Sequence, residues 1–217
     1  MTRLLLLIVF ASTLLSAQDQ WKDVYKETAW TDRDKWQRAE ELIRFLNLKP
    51  GNCVADIGCH EGYWSFKLSQ TVGANGLVYA VDVKQDKLDR LNAIAAQRTV
   101  TNIKTIKGDY DDPKLSANTL DGVIIVDTYH EMDDHDEILA HIKSALKSSG
   151  RLLLCEPIAQ DRRGLSRGEQ EGRHELEMKF VLEDLKKAGF KVVKQQDSYI
   201  DRSVKGDKMW VIVAMKQ

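Results

Sequence analysis

The spacing of apolar positions changes period repeatedly along the chain, and each change marks an expected element. From Gln18 to about Lys49 the residues Trp21, Tyr25, Trp30 and Trp36, then Ala39, Leu42, Ile43, Phe45 and Leu46, recur at helical spacings until Pro50-Gly51 stops them. Beyond that point short runs rich in Val, Ile and Leu alternate with amphipathic stretches. Strands are expected at residues 53–57, 77–83, 103–107, 122–127 and 150–156, and helices at 62–72, 87–98, 134–147 and 174–188. Strands separated by helices imply parallel βαβ units, hence an α/β, doubly wound sheet covered on both faces. Two closing runs, 191–199 and 208–215, are separated only by the turn-like residues 201–207 and are expected to pair antiparallel.

Composition narrows the class. With 32 basic against 33 acidic side chains the formal net charge is -1. No block of Lys and Arg supplies the clustered charge that a phosphate backbone needs, so no nucleic-acid partner is expected. Cys53, Cys59 and Cys155 leave one thiol unpaired and are too sparse to staple a fold of 217 residues; they read as buried small hydrophobes. Residues 1–17 stand apart. Arg3, an apolar run to Leu15, then Ser16 and Ala17 before Gln18, Asp19 and Gln20 follow a secretory signal layout. That apolar run is about 12 residues, short of the roughly 20 that span a bilayer. The expectation is therefore a cleaved signal and an exported protein, periplasmic or secreted, with an uncleaved membrane anchor as the alternative. The remainder divides into a helical cap over residues 18–49 and a main domain over 50–217.

Ligands of open α/β sheets bind at the carboxyl ends of the strands, where strand order reverses. The first expected strand runs into Asp56-Ile57-Gly58-Cys59-His60-Glu61-Gly62-Tyr63, and Gly58 and Gly62 bracket a tight turn that lets backbone approach a ligand. Asp82, before Val83, ends the second strand. Gly108-Asp109-Tyr110 follows the third, and Asp127-Thr128 the fourth. One such acid reads as a solvated loop residue or a helix cap. Acids at four successive strand tips point instead to a polar ligand, and Asp82 is placed to accept both hydroxyls of a ribose.

These motifs resemble the class I S-adenosylmethionine-dependent methyltransferases over roughly residues 32–215. VADIGCHEGYWSFKLSQ is similar to the family's first motif, VYAVDV to the second, IKGDYDDP to the third, DGVIIVDTYHEMDD to the fourth, and LKSSGRLLLCEP to the entry of the fifth strand. The terminal hairpin matches the family's antiparallel seventh strand. RDKWQRAEELIRFLNLKPGNCVADIG and DTYHEM resemble a bacterial small-molecule branch related to quinone methyltransferases. The resemblance implies a Rossmann-like seven-stranded sheet, S-adenosyl-L-methionine as cofactor and methyl transfer to a small-molecule acceptor. It implies that Asp56, Gly58, Cys59 and Gly62 line the methionine moiety, that Asp82 with Val83 holds the ribose, and that Gly108, Asp109 and Tyr110 meet the adenine. Asp127 and Thr128 would close the methionine side. His60 stands where the family usually has Gly, and Ser148-Ser149-Gly150 replaces a Pro-Gly-Gly turn.

A nicotinamide enzyme is the rival reading, but its Gly-x-Gly-x-x-Gly fails at His60 and Tyr63. Asp56 would also repel a pyrophosphate, whereas it attracts an ammonium. An exported, non-catalytic nucleoside-binding protein on the same fold is the second alternative. On the acceptor side Tyr129, His130 and Glu131 follow the fourth strand, with His130 the general-base candidate for a hydroxyl or carbon acid. The run His130, Glu131, Asp133, Asp134, His135, Asp136 contains metal-ligand types, yet it reads most simply as a helix start capped by Asp133 or Asp134, and no metal is expected. Arg162, Arg163, Arg167, Arg173 and His174 either bind an anionic acceptor or form a solvated loop. Trp21, Tyr25, Trp30 and Trp36 either cover the site or pack a helix.

Overall fold

The computed structural model describes residues 23–202 and 205–216; the leader at 1–17 and Trp21 lie outside them. Seven strands form one sheet in the order β3-β2-β1-β4-β5-β7-β6. They are β1 (Cys53–Ile57), β2 (Leu77–Asp82), β3 (Ile103–Lys107), β4 (Leu120–Val126), β5 (Leu146–Ile158), β6 (Phe190–Arg202) and β7 (Asp207–Lys216). β1 to β5 pair parallel, and β7 enters antiparallel between β5 and β6. This is the expected α/β sheet with its closing hairpin. Strand order reverses between β1 and β4, so the crevice lies at their carboxyl ends.

Helices cover both faces because the central strands are apolar throughout, as strands buried on two sides must be. Val123 and Ile125 face one core; Ile124 and Val126 face the other. The second core gathers α1 (Trp30–Asp34), α2 (Ala39–Phe45), α3 (Tyr63–Val72) and α4 (Gln85–Gln97) through Trp30, Leu42, Phe66 and Leu91. The first is closed by α5 (His135–Ala145) and α7 (Met178–Lys187) through Ile138, Ile142, Val181 and Leu185. Cys59 and Cys155 are buried, as expected, while Cys53 is half-buried. Among the described residues no helix is long and apolar enough to cross a membrane.

The structure departs from the sequence pattern in four places. The N-terminal helix breaks at Arg38, which adopts a left-handed φ of 52° and donates from Nη1 to the carbonyl of Tyr199 in β6. β5 starts directly after α5, and the Ser148-Ser149-Gly150 segment lies in a register shift opposite Leu120 and Gly122 rather than in a turn. α7 begins only at Met178, because Leu176 N donates to Pro157 O and Glu175 accepts from Ala159 N. The expected loop holds α6 (Arg167–Glu171), and three of its arginines are ion-paired: Arg162 to Glu175, Arg163 to Asp197, Arg167 to Glu171 and Asp184. Their carboxylate partners take the place of the anionic acceptor considered for them.

Candidate active site

Register brings the expected tips together. Ile57 lies beside Val81 on one side and Ile125 on the other, and the amides of Gly58 and Cys59 both donate to Val81 O. Gly58 has φ +78°, and a Cβ there would stand 2.2 to 2.7 Å from the Thr128 side chain. Gly62, at φ +97°, leads into α3, and its Cβ would meet Leu91 at 2.9 Å. His60 fits this glycine-type turn by adopting φ 49°. Its amide donates to Asp82 Oδ2 at 2.9 Å, while Lys84 N donates to Oδ1 at 2.9 Å. Asp82 therefore faces the turn, half-exposed, with one acceptor position used on each oxygen. Gly108 N donates to Asp82 O, which sets the third tip beside the second. Asp109 and Tyr110 are exposed there, Asp109 paired with Lys114 at 2.9 Å.

The other two acids sit in different surroundings. Asp56 is 1% exposed, its carboxylate accepting from Ser65 Oγ at 2.6 Å. Burial, opposed by the Ser65 bond and by the charge of Arg33, pushes its pKa up to about 7. Asp127 is held by Arg202 at 2.6 Å and by the Tyr25 hydroxyl. Burial would raise its pKa, but the Arg202 charge holds it well below the usual carboxylate range. Arg202 also grips Asp207 through Nε and Nη2, both at 2.6 Å.

Sequence reasoning did not assign Arg33, Arg202 or Glu156 to the site, since each acts through partners remote in sequence. Tyr25, considered there only with the covering aromatics, lies over the turn with its ring 5.9 Å from that of His60. Its segment is anchored by Glu27, whose amide donates to Glu61 and whose carboxylate pairs with Arg90 and Arg98. Trp30 packs in the core on Tyr63 and Phe66. Arg33 is 4% exposed and lies 4.1 Å over the Tyr63 ring, with Nε donating to Gln37. A buried cation at this place, Gly58 cradling against Thr128, and two buried polar atoms without partners, His60 Nδ1 and Trp64 Nε1, fit a zwitterionic amino-acid group attached to a nucleoside.

Past β4, Glu156 is fully buried and accepts from the amides of Thr128 and Tyr129 at 2.7 and 2.9 Å and from His130 Nδ1 at 2.5 Å. His130 Nε2 faces Glu131 at 3.4 Å. Burial alone would lower the His130 pKa, but the Glu156 charge and the bonds from Glu131 and Glu156 push it up to about 10. His130, the general-base candidate, thus lies between two acids that favour its protonated form. Tyr129 points away from the tips. Its ring lies in the core near His135, and its hydroxyl donates to Asp184. Asp134 caps α5 as expected, accepting from Glu137 N.

A family model described as a methyltransferase domain matches residues 48–211, and the chain belongs to that family. The demethylmenaquinone methyltransferase of Geobacillus sp. (strain WCH70) is 25% identical over 122 residues, covering 56% of this chain and 51% of that protein. The ubiquinone/menaquinone biosynthesis C-methyltransferase UbiE of Marinomonas sp. (strain MWYL1) is 30% identical over 122 residues, covering 56% and 48%. The chain thus spans about half the length of the curated relatives it matches. Among solved structures, a SAM-dependent methyltransferase from Aquifex aeolicus superposes with a TM-score of 0.72 at 20% identity, covering 94% of this chain and 98% of that one.

Proposed function

We propose that the protein is an S-adenosylmethionine-dependent methyltransferase acting on a small-molecule acceptor. The observation that carries this reading is the joined pair at the switch point: the Gly58 turn and an Asp82 carboxylate fixed by backbone amides with acceptor capacity left for a diol. Asp82 would hold the ribose hydroxyls, Arg33 the carboxylate of the amino-acid moiety and Asp56 its ammonium. The cofactor supplies an activated methyl group on a sulfonium. Transfer is then largely a matter of alignment. Tyr25 lies over the turn, its ring 5.9 Å from that of His60. Quinone-type acceptors are favoured by the named activities of the relatives.

Calorimetric titration with S-adenosylmethionine and S-adenosylhomocysteine tests the reading. Both should bind, and Asp82→Ala should weaken them by roughly 10- to 100-fold or more, since each hydrogen bond lost to a charged group is worth about 1.5–3 kcal/mol. No binding of either ligand, or unchanged affinity in Asp82→Ala, refutes it. Binding without turnover across an acceptor panel would favour the non-catalytic alternative.

A further inference from the structure

The groups beyond the β4 tip contain a second kind of chemistry. His130 Nε2 lies 3.4 Å from Glu131 Oε1, and His174 Nδ1 lies 2.5 Å from the same oxygen. One donor atom from each of the three side chains falls within 4.8 Å of the others. We propose that His130, Glu131 and His174 form a binding site for a divalent transition-metal ion of the zinc type, separate from the cofactor turn. Two imidazole nitrogens and a carboxylate oxygen are donors that suit Zn²⁺, and three protein ligands leave a further coordination position open. Around a tetrahedral ion with bonds of about 2.0–2.1 Å, ligand atoms stand roughly 3.3 Å apart, and the 3.4 Å separation matches. Glu131 and His174 have side chains 54% and 73% exposed, so they can open the closer contact and admit the ion from solvent.

The support behind His130 distinguishes this cluster from a chance meeting of imidazole and acid. Glu156 is buried, held by two backbone amides, and receives His130 Nδ1 at 2.5 Å. That carboxylate–histidine arrangement fixes the ring and turns Nε2 outward as the ligand atom. His174 is positioned by its neighbours, since Glu175 binds Ala159 N and Arg162 while Leu176 N binds Pro157 O. Asp127, His130 and Glu156 also fall within 4.8 Å of one another. Their carboxylates are already occupied, Asp127 by Arg202 and Tyr25, Glu156 by the amides, so the outward group is the site.

Untagged full-length protein, stripped with EDTA, would be titrated with Co²⁺ and, in competition with a chromogenic chelator, with Zn²⁺. S-adenosylmethionine is left out, so the result is independent of methyl transfer. Saturable binding of one ion per chain is expected, with visible d–d absorption for cobalt. His174→Ala and Glu131→Gln should each weaken zinc binding at least about 10-fold, and Glu156→Gln by about 10- to 100-fold. His141→Ala, at an exposed histidine on α5, should leave it unchanged. Absence of saturable binding, or unchanged affinity in both His174→Ala and Glu131→Gln, overturns the proposal.

Discussion

Replacing Asp56 by Asn tests whether the first tip acid is a stability cost maintained for binding. Asp56 is 1% exposed, and its pKa rises from 3.8 to about 7 because burial penalises the charged form. Between pH 4 and pH 7 the folded protein keeps a proton that the unfolded chain has lost. Stability therefore falls as pH rises through this window, is unaffected by Asp56 below it, and bears the full cost above it. At about 1.4 kcal/mol per pKa unit the cost approaches roughly 4 kcal/mol by pH 8. Asn keeps an acceptor for Ser65 Oγ and removes the charge. Urea denaturation of both proteins at pH 4, 6 and 8 measures the effect as a difference, in which shared contributions cancel. These include Asp127, whose depressed pKa gives stability that is lost on the acid side. The advantage of Asp56→Asn should grow from near zero at pH 4 to a few kcal/mol at pH 8, while S-adenosylmethionine affinity falls. A stability difference that does not change with pH refutes the reasoning.

Three further outcomes follow from the same geometry. Arg202→Met leaves Asp127 and Asp207 buried without their cation and should cost about 3–5 kcal/mol of unfolding free energy by urea melts; adding Asp207→Asn should recover part of it. Arg33→Met should weaken S-adenosylmethionine binding by about 10- to 100-fold in calorimetry, the worth of a charge-assisted hydrogen bond at about 1.5–3 kcal/mol, and unchanged affinity would remove Arg33 from the site. Gly58→Ala drives a methyl into Thr128 and places a side chain at φ +78°, so it should lower the melting temperature, with partial rescue by Thr128→Ala.

The sheet was legible because its signals are local. Val, Ile and Leu runs, Gly58 and the tip acids lie within short windows, and each strand fell near its expected place. What escaped depends on partners far along the chain. Arg38 breaks the N-terminal helix through a carbonyl in β6, and Asp127 meets Tyr25 and Arg202 from opposite ends of the sequence. Glu156 read as one residue of a strand; only the fold shows it turned inward against the amides of Thr128 and Tyr129. Arg162, Arg163 and Arg167 of the expected loop looked available for an anion until their carboxylates came into view.

Asp56, Asp82 and Asp127 lie at the carboxyl ends of three adjacent strands and look equivalent in sequence, but the fold gives them different surroundings. Asp127 has its charge met by Arg202, so it fixes the β6–β7 hairpin against the crevice and has little left to attract an ammonium. Asp56 lacks a paired cation in contact and gains most from one that arrives with a ligand, which couples cofactor binding to loss of its proton. Asp82 is half-exposed and held by two backbone amides that leave acceptor capacity on both oxygens, as recognition of a neutral diol requires. Under the proposed reading a nucleoside carrying a zwitterion would meet a fixed acceptor at Asp82, a responsive acid at Asp56 and a buried cation at Arg33, drawn from three separate segments of the chain. Asp127, the third acid of the set, is tied through Arg202 to Asp207 and so joins the β4 tip to the β6–β7 hairpin.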